Sequence, residues 1–357
     1  MNANTHLLRT LTTGLATALV LASLGACGSP KKTAADPQRA DSVRVVTARP
    51  TKATAPERAA ASETRGDLAI SQGDLSRALV EFERAIATNP ELASAYIKAG
   101  RIYQAMGDLE TAAARYARAA ELDPLSFDAH YMHGLTLQVL ERHEDAVRAY
   151  LRALAVRPDD ADANTNLATA FLQIGRPLDA QPYALRAVRL SPNSGEARIN
   201  LAACYVAMER FDDAVVEYQQ AAELVTEPDE QLLLSLADAL GRTKRYAEMA
   251  ATLDQLVRTS PSAIAYERLG SALFRLKQYE PSLSAFLAAT EQDPEHYPAF
   301  NGVSVCLLNQ YLWSKKADRN ALFGAVDALR TSLRLNPDQP KILELLRRYG
   351  PQATLAG

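Results

Sequence analysis

The segment Leu109–Pro124 reads LETAAARYARAAELDP, and it has two close copies. The copy 34 residues earlier, Leu75–Pro90, reads LSRALVEFERAIATNP, and the copy 34 residues later, His143–Pro158, reads HEDAVRAYLRALAVRP. Each holds an alanine, an aromatic four residues on, a second alanine three further, and then a proline. These trios are Ala78, Phe82 and Ala85; Ala112, Tyr116 and Ala119; Ala146, Tyr150 and Ala153. Spacings of three and four put each trio on one face of a helix. Proline stops that helix, because it lacks an N–H and biases its predecessor away from the helical region.

The period extends outward in both directions. Pro90, Pro124, Pro158 and Pro192 are each 34 residues apart, and Pro228, Pro261, Pro294 and Pro337 continue the series with drift. Asn89, Asp123, Asp293 and Asn336 precede their prolines and suit a turn. A small residue sits upstream of each trio: Gly66, Gly100, Gly134, Ala168, Ala202, Ala237, Gly270 and Gly302. A larger apolar residue follows it in most copies, as at Tyr103, Leu137, Phe171 and Tyr205. The fourth copy keeps Ala180 and Ala187 but places Ala184 at the aromatic position, with Tyr183 beside it; the fifth restores Ala214, Tyr218 and Ala221. The sixth has Met249, Leu253 and Leu256, and the eighth Ala325, Leu329 and Ser332.

Each unit therefore reads as two helices that cross at the small residue, with the aromatic filling the space above it. One such hairpin cannot bury its apolar face, whereas stacked hairpins share a continuous core. The pattern resembles the tetratricopeptide repeat. The resemblance implies an all-α, right-handed superhelical solenoid of about eight helix-turn-helix repeats. They span approximately 59–92, 93–126, 127–160, 161–194, 195–229, 230–262, 263–294 and 295–337. Extra residues around Asn309–Asn320 in the last repeat are expected to lengthen both its helices. Residues 338–357 form a capping helix and tail, with Ile342, Leu345, Leu346 and Tyr349 as its apolar stripe.

Before the repeats the chain changes character. Residues 1–26 carry one arginine, Arg9, and then an apolar run shorter than the ~20 residues that span a bilayer. That is the anatomy of a secretory signal peptide. Its end, Leu24-Gly25-Ala26-Cys27, resembles the lipobox of bacterial lipoproteins, which implies cleavage before Cys27 and lipidation of that cysteine. Gly28, rather than Asp, follows the cysteine. The expected destination is thus the periplasmic face of an outer membrane, or otherwise the outer leaflet of the cytoplasmic membrane. Residues 27–58 read as the lipidated cysteine and a flexible tether, too poor in apolar residues to fold alone. Residues 28–58 carry a charge of +4, against −8 for residues 59–357.

The sequence offers little catalytic chemistry. It has no glycine-rich phosphate loop, nucleophile elbow or zinc-protease motif. Cys204 and Cys306 lie in apolar helical patterns and read as packed thiols. His130 and His133 share a helix face, but no third metal ligand is apparent, so neither a metal nor another cofactor is expected. A net charge of −8 over residues 59–357 argues against nucleic-acid binding. An enzyme is disfavoured on space, since the repeats consume nearly all of the chain after the tether.

The expected activity is non-enzymatic binding of envelope proteins or peptides. In tetratricopeptide repeats the first helix of each unit lines the concave face. The resemblance places Lys98, Arg101 and Gln104 there in the second copy, and Arg268 and Arg275 in the seventh. Asn166 and Asn200 share one position in neighbouring copies, which suggests stacked amides that hydrogen-bond an extended peptide. Trp313, with Tyr311 and Leu312, is a second candidate contact site; burial under the capping helix is the reading we adopt for it. The plan is similar to repeat lipoproteins that assist pilus or secretion assembly, and to those that act as adaptors for peptidoglycan hydrolases.

Overall fold

Short polar side chains start nine helices among the described residues, Thr54 and eight others. Asp74, Asp108, Ser126, Asp160, Ser194, Asp229, Ser262 and Asp318 each accept a hydrogen bond from the backbone N–H three residues on. Each satisfies a donor that the first helical turn leaves free. A computed structural model describes residues 53–354 and divides the chain into two compact units, which meet in sequence at Arg142 and His143. The leader, Cys27 and the tether as far as Lys52 lie outside the described residues.

The first unit holds α1 (Ala55–Ser71), α2 (Leu75–Thr88), α3 (Ala93–Ala105), α4 (Leu109–Leu122) and α5 (Phe127–Val139). Helix α1 begins four residues before the expected first repeat, so Ala55–Arg58 of the expected tether are helical. The cause is local: Thr54 and Glu57 form a capping box, with the Thr54 N–H donating to Glu57 Oε2 at 2.7 Å. Helices α1 and α2 pair, as do α3 and α4. Phe82, Ile86, Tyr96 and Ile102 fill the space among alanines 69, 78, 85, 95 and 99. A Cβ on Gly66 would lie 2.4 Å from the Phe82 ring, and one on Gly100 would lie 2.8 Å from Tyr116. Glycine at these crossings is thus a requirement of close helix approach.

The second unit holds α6 (His143–Val156), α7 (Ala161–Gln173), α8 (Pro177–Leu190), α9 (Gly195–Ala207), α10 (Phe211–Leu224), α11 (Glu230–Arg242), α12 (Tyr246–Thr259), α13 (Ala263–Arg275), α14 (Tyr279–Gln292), α15 (Tyr297–Trp313), α16 (Arg319–Leu335) and α17 (Pro340–Thr354). Its hairpins are α7 with α8, α9 with α10, α11 with α12, α13 with α14 and α15 with α16. Helices α15 and α16 have 17 residues each, against 13 and 14 in the preceding hairpin, as the extra sequence around Asn309–Asn320 led us to expect. In α8 the buried Ala184 leaves the aromatic position empty, and the neighbouring Tyr183 stacks on Phe171 with ring centroids 5.8 Å apart. No strand occurs among the described residues.

Helix α17 closes the stack. Tyr349, Leu345 and Leu346 pack on Tyr311, Leu308, Leu322 and Val326. A polar network fixes its approach: Gln339 Nε2 donates to Ser332 Oγ at 2.9 Å, Ser332 donates to Asn301 Oδ1 at 2.7 Å, and Asn301 Nδ2 donates back to Gln339 Oε1 at 2.8 Å. This cap covers Tyr311 but not Trp313. Tyr311 is 2% exposed and Trp313 is 74% exposed, so the expected burial of Trp313 does not hold. Trp313 lies two residues beyond Tyr311, about 200° around α15, and its ring meets Tyr279 of α14 instead.

Candidate partner-binding surface

The first helices of the hairpins carry the candidate residues, and many of these are committed to neighbouring helices. In the first unit Lys98 Nζ on α3 lies 2.9 Å from Glu63 and 2.7 Å from Asp67, both on α1. Burial alone would lower its pKa, but the bonds to Asp67 and Glu63 outweigh that and hold the ammonium above the usual lysine range. Arg101 reaches Asp128 on α5 at 3.4 Å. Gln104 accepts a hydrogen bond from the Tyr116 hydroxyl at 3.0 Å. Lys98 and Arg101 therefore stitch successive first helices together, and Gln104 ties α3 to α4.

His130 is buried and its Nε2 donates to the Pro124 carbonyl at 3.1 Å, which closes the loop before α5. His133 is half-buried on the same helix. No group of three or more potential metal ligands is found among the described residues.

In the second unit Asn166 on α7 and Asn200 on α9 are each 7% exposed. Asn200 Oδ1 accepts from the Thr169 hydroxyl at 3.1 Å, which links α9 to α7. The two amides occupy neighbouring copies, yet they sit within helix packing rather than on an open face. Arg268 on α13 pairs with Asp238 on α11 at 3.0 Å and donates to the Leu234 carbonyl at 3.2 Å.

Arg275 stands apart from these. It is exposed at the end of α13 and rims an open groove of about 470 Å³ between α13 and α15. Phe274, Val305 and Pro298 line the groove, with Phe286 of α14 as its floor, and Glu267, Ser271 and Asn301 supply polar groups. A second groove, of about 480 Å³, is lined by Val206, Phe211, Tyr218, Ser235, Asp238 and Arg242. Sequence reasoning placed Arg268 and Arg275 on the first helix of the seventh hairpin, which is α13, but did not single out Ser271 and Phe274. The signal was present, because Arg268, Ser271 and Arg275 follow each other at helical spacings of three and four.

Stacked helical hairpins with side-chain grooves along their first helices define a protein-interaction scaffold. Models of the tetratricopeptide repeat family match residues 69–135, 131–194, 165–231 and 234–297, and the chain belongs to that family. No curated protein matches it. Among solved structures, a tetratricopeptide repeat protein from Parabacteroides merdae ATCC 43184 is 16% identical, with a TM-score of 0.50 over 70% of this chain and 99% of that one. PilF of Pseudomonas aeruginosa is 20% identical, with a TM-score of 0.50 over 61% of this chain and 98% of that one. MamA is 22% identical, with a TM-score of 0.45 over 47% of this chain and 92% of that one.

Proposed function

We propose that this chain is a non-enzymatic, lipid-anchored scaffold of a bacterial cell envelope, which binds extended segments of envelope proteins along its first helices. The groove between α13 and α15 carries the reading. It combines an apolar floor, Phe286, with an aromatic wall, Phe274, and separate charges at Glu267 and Arg275. A peptide side chain fits the apolar part while its backbone and charges meet the polar rim. Cys27 supports the anchor through its position at the end of Leu24-Gly25-Ala26. Lipid there would confine the scaffold to a membrane surface and raise its effective concentration near partners.

A second reading is a factor in pilus or secretion assembly. Its support is the repeat-lipoprotein plan together with the fold shared with PilF.

Crosslinking in intact envelopes tests the scaffold. The wild-type chain should capture a defined set of proteins, and a Ser271→Trp/Arg275→Glu variant, with the groove filled and its charge reversed, should lose them. Unchanged capture would overturn the groove as the binding site. Pilus or secretion components in the captured set would select the second reading, and peptidoglycan hydrolases the adaptor role. The anchor has its own test: Cys27→Ala should abolish incorporation of labelled lipid.

A further inference from the structure

The turns inside the hairpins differ along the chain. Each passes through the left-handed backbone region, where glycine costs least. The earlier turns use Gly73, Gly107, Glu141, Gly175 and Glu209. The last three use Lys244, Lys277 and the consecutive pair Lys315–Lys316, at φ of 61°, 64°, 55° and 69°. These three hairpins follow one another in the second unit, so equivalent turns fall on one edge of the stack.

The last of these turns is also apolar. Trp313 is 74% exposed, Leu312 45%, and Phe323, one turn into α16, 42%. The Trp313 ring lies 5.9 Å from Tyr279, the first residue of α14, so the Lys277 turn and the Lys315–Lys316 turn are side by side. The three lysines of the two adjacent turns, Lys277, Lys315 and Lys316, outnumber the two acids beside them, Asp318 and Glu280. Asp318 accepts from Ala321 N at 2.9 Å and from Gln310 Nε2 at 2.7 Å, and Glu280 is the exposed acid at the start of α14. Neither of the two grooves includes Trp313, Leu312 or these lysines.

We propose that this edge is a contact surface for an anionic phospholipid bilayer, with Trp313 seated in the headgroup layer and Lys277, Lys315 and Lys316 against lipid phosphates. An amphipathic indole prefers the membrane–water interface. A lysine near an anionic surface gains about 1 kcal/mol. Residues 59–357 carry −8, so a basic edge sets which side faces such a surface. No helix among the described residues is long and apolar enough to cross a membrane, so the contact is peripheral. The inference goes beyond the lipid anchor and does not depend on it.

Trp313 is the single tryptophan of the chain and reports on its own position. The full chain carrying Cys27→Ala is mixed with vesicles of phosphatidylglycerol and phosphatidylethanolamine, or of phosphatidylcholine alone. Trp313 emission should shift to the blue with the anionic vesicles only, and lipids brominated near the headgroup should quench it. A Lys277→Gln/Lys315→Gln/Lys316→Gln variant should partition at least about tenfold more weakly. Emission that stays at its solvent-exposed position, even where the chain sediments with vesicles through its leader or basic tether, would overturn the proposal. So would equal quenching in the triple variant. An absence of lipid on Cys27 in cells would sink the anchor and leave this test untouched.

Discussion

The ring of Phe286 on α14 occupies the space above Gly302 on α15, where a Cβ would lie 2.2 Å from its Cδ1. The same ring also lies over Gly270 of its own hairpin, where a Cβ would approach to 2.9 Å. Phe286 thus keys two successive repeats together while forming the floor of the groove. Gly302→Ala should destabilise the protein by about 1–3 kcal/mol through overpacking, despite the better helix propensity of alanine. Adding Phe286→Leu should recover part of the loss. Denaturant unfolding checks both, and a neutral single variant would mean the ring moves aside freely.

Glu81 shows how charge holds the first hairpin. Its carboxylate is 2.9 Å from Arg65 of α1 and 2.6 Å from Arg84 of α2. Burial raises its pKa, but the Arg65 hydrogen bond and charge, joined by those of Arg84, hold the carboxyl below the usual glutamate value of 4.5. A depressed folded pKa contributes stability above 4.5, and that contribution is lost as pH falls through the folded value. Glu81→Gln should therefore cost about 1 kcal/mol at neutral pH. The difference from wild type should shrink in acid, measured as Tm against pH. A gap that is constant with pH would show that packing, not charge, sets the effect.

Much of the fold was legible because its determinants are local and periodic. Trios such as Ala112, Tyr116 and Ala119, all fully buried, recur with their glycines at a fixed distance. The candidate surface was harder to read, because spacing places a side chain on a face without saying what it touches there. Lys98 shares its helix face with open positions, yet Glu63 and Asp67, a whole repeat earlier, take up its charge. Asn166 and Asn200 align in the repeat frame, but the approach of successive helices buries them. Trp313 was misread for a related reason: the stripe on α17 identifies a cap, while the face of α15 turned toward it, which carries Tyr311 and not Trp313, decides which aromatic lies under it.

Buried thiols supply a chemical test of the packing. Burial pushes the Cys204 thiol up to about 12 and raises Cys306, which also meets the Ser282 hydroxyl at 3.4 Å. Neither forms appreciable thiolate at neutral pH, and thiolate is the reactive species. The native Cys27→Ala chain should therefore take up almost no maleimide, whereas the denatured chain should take up two equivalents, one at each remaining cysteine. Fast labelling of the native chain would indicate that α9 or α15 opens readily.

The cap sets the stability of the last repeat. Tyr349 is 7% exposed against Tyr311, Leu322 and Val326, and it lies on the terminal helix of the stack. Removing its ring leaves a cavity that the neighbouring side chains only partly fill, at a cost of about 3 kcal/mol. In a repeat array that loss falls first on the adjoining unit, because each repeat contacts only its neighbours. Tyr349→Ala should therefore speed amide exchange in α16 and the end of α15 well before α7. The exposed Arg347→Ala, on the same helix, should leave exchange unchanged. Equal acceleration in α7 and α16 would mean that the second unit unfolds as one block, and the cap would then act on the whole stack rather than on its last hairpin.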